Sequence, residues 1–506
     1  MSFLRSSLGR KKKESSNPEL LGFDLLYHLT YLSAVASAGI PRSELFKLAG
    51  KLSSGIAHYF RDVEQMARGL NYEYAEACRL VAGTAKEAPV SSFLLRLSNA
   101  LTTGESESDF MAEEAKIQAE LYINEYERRL DTLKQWTDAY VALMVSTALI
   151  VVVAAVSTFI YDTGSVFVAG MATITISVSA LGAWVLYKTA PREMKTLNGP
   201  EGKPTQRVPR RVLSVLLPTA LVAGVVAWFM GQPTGGVVLA VGIAILPIGV
   251  VSMRLDGRIT KKDADISTFL RTLGSTASAT GTTSLEALAR MELRSMASLE
   301  QPAGRLLTKL RGRLDPDLCW NEFVSETGSD LIRRGVHIFR GGLKVGGDPR
   351  EVGQRASLLT MSVVLLRAKR RSVSSTFIGL AMAMHLVIVF LLTFIVDVVN
   401  VFSKLLGEAT ESVARTGNAG SRIDVTNTLS IGFQNADFLQ TLMVPVIISL
   451  SLFNAVAPKV TEGSYSIKFF LFLGVTLIVT GLSMIYSPIL VNSVFQMVPI
   501  ITSDVR

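Results

Sequence analysis

Cysteine and histidine are both scarce. The 506 residues hold two cysteines, Cys78 and Cys319, and four histidines, His28, His58, His337 and His385. Two lone thiols exclude a disulfide scaffold and cannot make a structural zinc site, so both read as small buried residues in a reducing compartment. The histidines show no metal-ligand spacing. Charge is also short. Asp, Glu, Lys and Arg make up 18% of the chain, against about 25% in a soluble domain. Hydrophobic residues reach 49% and the mean hydropathy is +0.37. These figures exclude a single soluble domain and a disordered chain.

Catalytic patterns are missing too. No phosphate-binding G-x-x-x-x-G-K-[ST], no G-x-S-x-G and no H-E-x-x-H occurs. The segment from Gly274 to Gly281 is rich in small residues, but it lies in an amphipathic helix pattern and reads as close packing. No catalytic, cofactor or metal-binding residue is expected, and the chain reads as a non-enzyme.

The apolar residues are gathered into runs near 138–160, 165–188, 212–230, 235–253, 374–403, 437–459 and 467–490. Most match a hydrocarbon core about 30 Å thick, and the fifth is long enough to need tilt or emergence. The loop at 189–211 carries Arg192, Lys195, Lys203, Arg207, Arg210 and Arg211, while 161–164 and 231–236 carry no Lys or Arg. By the positive-inside bias the basic loop, the N-terminus and 254–373 face the cytoplasm. The net charge of +9 then reflects topology, and no nucleic-acid partner is expected. The start of the chain is basic without an apolar h-region, which predicts a cytoplasmic tail and no cleavable signal. His385 and Asp397 lie in the fifth run, 12 residues apart, too far to touch along a straight helix. His385 is expected to stay neutral and hydrogen-bond a neighbouring helix, and Asp397 to lie near the outer interface.

The expected architecture is an all-α polytopic helical membrane protein with two repeated cytoplasmic helical bundles. It comprises a basic tail at 1–19, a bundle at 20–137, four spans at 138–253 with the loop at 189–211, and a second bundle at 254–373. Three spans follow at 374–490, with an extracytoplasmic loop at 404–436, then a tail at 491–506. The repeat is visible at one constant offset of 242 residues. Thr30 meets Thr272, Ser33 meets Ser275, Gly39 meets Gly281 and Gly104 meets Gly346, and Arg128-Arg129 meets Arg370-Arg371. Gly39 followed by Pro41 reads as a helix stop and start, with Pro41 as the first helical residue. Thr283 with Glu286 reads as a capping box after Gly281. After Gly346, Asp348 reads as the cap of a helix begun by Pro349. From Glu105 to Tyr161 there is no Gly and no Pro, so one stiff helix of about 80 Å is expected there.

Leu29-Thr30-Tyr31-Leu32-Ser33, Ala38-Gly39-Ile40-Pro41 and Leu101-Thr102-Thr103-Gly104-Glu105-Ser106 resemble the hallmarks of the type II secretion F domain. The second copy departs from the last motif with Leu343-Lys344-Val345-Gly346-Gly347-Asp348-Pro349. Several spans after each bundle look most like the archaeal branch of that superfamily, which includes platform proteins of archaella and archaeal type IV pili, or a fused tight-adherence pair. The resemblance implies a non-enzymatic platform for filament assembly. Its implied partners are a cytoplasmic hexameric ATPase, pilin or archaellin subunits, the lipid bilayer and further copies of itself as a dimer or trimer. Lys261, Lys262, Arg311, Arg313, Arg333 and Arg334 are candidate ATPase contacts. The competing expectation is a secondary transporter built from two repeats, since such proteins also carry internal repeats.

Overall fold

The computed structural model describes residues 20–160, 164–197, 204–416 and 436–497. Among these there is no β-strand, only one isolated bridge between Thr196 and Ser329. The all-α expectation is borne out. The chain forms two compact units. One, here the polar unit, draws on Met1–Arg128, Pro191–Gln206 and Gly257–Lys369, and the other, the apolar unit, on Arg129–Ala190, Arg207–Asp256 and Arg370–Arg506.

In the polar unit, α1 (Leu21–Ala36) is apolar on all sides and nearly all of it is buried. The helices α2 (Arg42–Gly50), α3 (Ala57–Gly69), α4 (Tyr74–Thr84) and α5 (Ala88–Thr103) follow, then the first part of α6 (Glu107–Ile160). The second copy opens with the end of α9 (Thr234–Thr280) and continues through α10 (Ser284–Arg290), α11 (Glu300–Arg311), α12 (Pro316–Thr327) and α13 (Asp330–Lys344) into α14 (Pro349–Thr416). One hydrophobic core takes residues from both copies, among them Phe60, Phe93, Phe269, Trp320 and Phe339. The copies therefore share a single core. Where α9 and α14 cross, a Cβ on Gly274 would lie 2.2 Å from the Pro349 carbonyl oxygen, so only glycine fits.

The turns keep the offset of the repeat. Gly39 (φ 64°) answers Gly281 (61°), and Gly104 (76°) answers Gly346 (91°). Two non-glycine residues with positive φ, Asn71 (60°) and Arg313 (56°), are also 242 residues apart. Two details differ from the sequence reading. Pro41 precedes α2 instead of opening it. Its ψ of 145° is extended, and its carbonyl accepts from Glu44 N at 2.9 Å. Thr283 has the extended backbone of a cap, yet its side chain makes no capping bond, so the expected box is absent. Asp348 does cap α14, with Oδ1 accepting from Arg350 N at 3.0 Å.

The apolar unit holds the rest of α6, which is unbroken over 54 residues, together with α7 (Gly164–Thr189), α8 (Pro204–Phe229), the start of α9, the end of α14, α15 (Ala436–Glu462) and α16 (Phe469–Met497). Among the described residues five helices carry stretches long and apolar enough to cross a bilayer, at Ala169–Thr189, Thr234–Thr280, Pro349–Leu405, Thr441–Glu462 and Ser466–Phe495. The chain is a multi-pass membrane protein. The run at 212–230 lies in α8, whose described apolar part, Ser214–Phe229, is shorter than a span. Several side chains of the run at 138–160 lie outside the described residues, as do the tail at 1–19 and residues 417–435 of the loop at 404–436. The other part of that loop, 404–416, is helix, as are 204–211 of the basic loop and 491–497 of the last tail.

Within this unit α9 and α16 run antiparallel and meet through glycines. A Cβ on Gly249 would lie 2.2 Å from Leu471 Cα, one on Gly242 2.9 Å from Ile478 N, and one on Gly481 2.7 Å from Leu239 N. In lipid, where apolar side chains gain little by leaving their solvent, such backbone contact is what holds helices together.

Candidate functional site

The polar unit is organised around two charge clusters, one buried and one half-buried. Arg334, on the inward face of α13, is 3% exposed. Its guanidinium donates to Asp24 Oδ1 on α1 at 2.8 Å and to Asp330 Oδ2 one turn earlier at 2.9 Å, and it lies over the Phe23 and Tyr27 rings. Asp24 also accepts from Gly55 N, and the Tyr27 hydroxyl lies 2.9 Å from His337 Nδ1. Burial alone would raise the Asp330 pKa, but Arg334 and Arg333 outweigh it and hold the carboxyl below the usual carboxylate range. Burial works against the Arg334 charge as well, and Asp330 and Asp24 more than restore it. This cluster joins the first copy, through α1, to the second, through α13.

The other cluster involves the segment 191–197. Arg367 on α14 donates to Glu193 at 2.7 Å and to Asp263 at 2.8 Å. Glu193 also accepts from Tyr126 on α6, and Asp263 from Ser329. Asp330 N donates to the Lys195 carbonyl, and Leu197 N to that of Gly328. Part of the segment expected as a basic loop at 189–211 is therefore laced to both copies.

The six candidate contacts fall into three settings. Arg334 serves the core and presents no charge to a partner, a correction explained by its two carboxylates and two aromatic faces. Arg333 is half-buried and pairs with Asp330 at 2.6 Å, while half-buried Lys262 donates to the Glu326 carbonyl at 3.3 Å. Lys261, Arg311 and Arg313 are exposed, the last two on the turn from α11 to α12. Sequence reasoning missed Asp24, Glu193 and Arg367. The signal for Asp24 was its isolation, as the sole charge in an otherwise apolar helix from Leu21 to Ala36.

The apolar unit buries some charge, with Arg370 donating to the Thr461 and Val460 carbonyls and Lys468 paired with Glu462, and beside it a linked network of neutral groups. Asn454 Nδ2 donates to His385 Nδ1 at 3.0 Å, which leaves Nε2–H facing the Thr476 carbonyl and the Thr480 hydroxyl, both at 3.2 Å. Tyr140 donates to Asn454 Oδ1 at 2.8 Å, and the Ser451 and Thr480 hydroxyls lie 2.8 Å apart. Ser487 donates to Asp397. His385 thus bonds to neighbouring helices as expected. Among the described residues no three metal-ligating side chains converge.

Duplicated helical turns, a shared charged core and spanning helices joined by glycine contact define a class: a multi-pass, all-α membrane protein built on an internal repeat. Within it, the chain is 23% identical over 452 residues to the Flagella accessory protein J of Methanocaldococcus jannaschii, covering 86% of this chain and 79% of that protein. It is 22% identical over 341 residues to the Flagella accessory protein J of Methanococcus voltae, covering 65% of this chain and 60% of that protein. The resemblance to archaellum-type platform membrane proteins is borne out. No protein-family pattern matches the chain, and no solved structure does.

Proposed function

We propose that the chain is the non-enzymatic membrane platform of an archaeal filament assembly machine, of the archaellum kind. The observation that carries this reading is similarity, over 86% of the chain, to a protein whose name makes it accessory to the flagellum. In this reading the polar unit and the N-terminus lie in the cytoplasm. A hexameric ATPase docks there, and archaellin or pilin subunits enter from the membrane side. The two copies act as F domains, and a dimer or trimer of the chain forms the platform.

The internal physics supports such a role. A machine part that transmits force needs stiffness, and the ion clusters and shared core supply it. The helices α6, α9 and α14 each contribute residues to both units, so movement of the polar unit has continuous helix along which to pass. Deleting the gene should abolish filaments while leaving subunit synthesis and processing intact, and the full chain supplied in trans should restore them. Normal filaments in the deletion strain, or saturable solute uptake by proteoliposomes of the pure chain, would sink the reading in favour of a transporter.

A further inference from the structure

We propose that the turn between α11 and α12 docks an acidic surface of a soluble protein partner. The inference rests on the platform reading, whose partner on this side is the assembly ATPase. It starts from the backbone. Helix α11 ends with Arg313 N donating to the Leu310 carbonyl at 3.1 Å and Leu314 N to that of Lys309 at 3.3 Å. That double closure requires a left-handed residue, normally glycine. The glycine here is one residue early, at Gly312, and the left-handed position is held by Arg313. An arginine kept in a conformation that side chains resist points to a use for that side chain.

The surroundings say what the use is. Leu314 is 55% and Leu318 66% exposed. Lys309 is paired with Glu322, Arg305 with Glu326, and Arg340 and Lys344 with Asp317. Arg311 and Arg313 are exposed and have no ion pair among the described residues. The turn itself is stiff, because Asp315 accepts from Asp317 N at 2.9 Å and Pro316 opens α12. Two free guanidinium groups beside two bare leucines on a rigid turn fit a shaped carboxylate-bearing protein surface.

The first copy provides the contrast. Its equivalent turn keeps the left-handed position, with Asn71 at φ 60° and Leu70 66% exposed. Residues 63–77, however, carry one basic and three acidic side chains, against four basic and two acidic at 305–319. The backbone belongs to the repeat, while the positive charge belongs to the second copy alone.

The test uses the full chain in nanodiscs of zwitterionic lipid, titrated with the purified hexameric ATPase. R311E/R313E should weaken binding at least tenfold at about 50 mM salt, with a smaller loss at about 300 mM. R313G relieves the backbone, so it should raise the thermal midpoint while weakening binding by about threefold. The matched N71G should raise the midpoint and leave binding within twofold. If the wild-type chain fails to bind the ATPase, the docking part of the platform reading falls, and this inference with it. If wild type binds and R311E/R313E binds equally, this inference falls and the platform reading stands.

Discussion

The hydrogen-bonded networks that join helices differ between the two units. In the polar unit the network that crosses the repeat is charged, with buried Arg334 between Asp24 and Asp330 and half-buried Arg367 between Glu193 and Asp263. In the apolar unit the core of the network is neutral, from Tyr140 through Asn454 to His385 and Thr480, and the helices approach through glycine. The difference follows from the solvent. A chain that unfolds into water leaves its charges hydrated, so burying them demands near-complete pairing. In lipid there is no such refuge, and hydrogen bonding among neutral groups is the lower-cost solution. Four measurements probe that contrast.

The largest effect is expected at Arg334. Arg334→Met leaves Asp24 without its cation and Asp330 with Arg333 alone, and should cost about 3–5 kcal/mol in denaturant unfolding of the detergent-solubilised chain. The triple variant R334M/D24N/D330N should recover most of that loss, because the penalty lies in the stranded charge and not in the missing contact. A triple variant as unstable as the single would show that the cluster contributes through packing alone.

Next comes pH. His28 is 0% exposed and stacked on Phe60, with ring centroids 5.2 Å apart. Burial lowers its pKa from 6.5 to about 3, opposed in part by hydrogen bonds to the Asp24 and Ala49 backbone. Between those values the unfolded chain binds a proton that the folded chain does not. Stability therefore falls as pH drops from 6.5 towards 3, at up to about 1.4 kcal/mol per pH unit. Asp330, whose pKa is lowered, acts in the same direction, with its stabilisation lost as the carboxyl protonates below the ordinary Asp range. The thermal midpoint of His28→Leu should respond less to pH over that window than wild type. An equal slope would mean that His28 is protonated in the fold.

Gly249 tests the other unit. Any Cβ there meets the Leu471 backbone, which cannot rotate away as a side chain could. Gly249→Val should destabilise the apolar unit by about 1–3 kcal/mol, the usual range for overpacking, and thiols placed on α9 and α16 should cross-link more slowly. Gly257→Ala is the matched control. Nothing lies within 4 Å of the place its methyl group would take, so it should be neutral or slightly stabilising.

Much of this was legible in the sequence, for physical reasons. The repeat was readable because glycine turns tolerate little substitution, and Gly39/Gly281 and Gly104/Gly346 kept their offset along with their left-handed backbone. The spans were readable because lipid enforces length and composition over some twenty residues at a time. Pairing was not. Arg333 and Arg334 are adjacent and look alike in the sequence, yet one is half-buried on the rim and the other is the centre of the core. Only the partner Asp24, 310 residues away, separates them. The thread of 191–197 across both copies was hidden for the same reason, since Glu193 and Arg367 are 174 residues apart. Arg313 was a candidate contact by its charge, but its left-handed backbone was hidden because the neighbouring Gly312 made the turn look ordinary.

The smallest effect should come from the neutral network, and it is the sharpest test of the contrast. In a double-mutant cycle, His385→Leu and Asn454→Leu should each cost about 1 kcal/mol, with a coupling near ~0.6 and no more than about 1.7 kcal/mol, as for hydrogen bonds between membrane helices elsewhere. The reason is that the loosened helices find other partners. Thr476, Thr480 and Ser451 stand beside the vacated positions and can bond one another or their own carbonyls. In the Arg334–Asp24 cycle the carboxylate stranded by Arg334→Met has no second cation among the described residues, so its coupling should be larger by at least about 1 kcal/mol. If the His385–Asn454 coupling matched or exceeded it, the apolar unit would depend on its polar network as heavily as the polar unit depends on its ions. The division of labour between charge in one unit and glycine contact in the other would then be wrong.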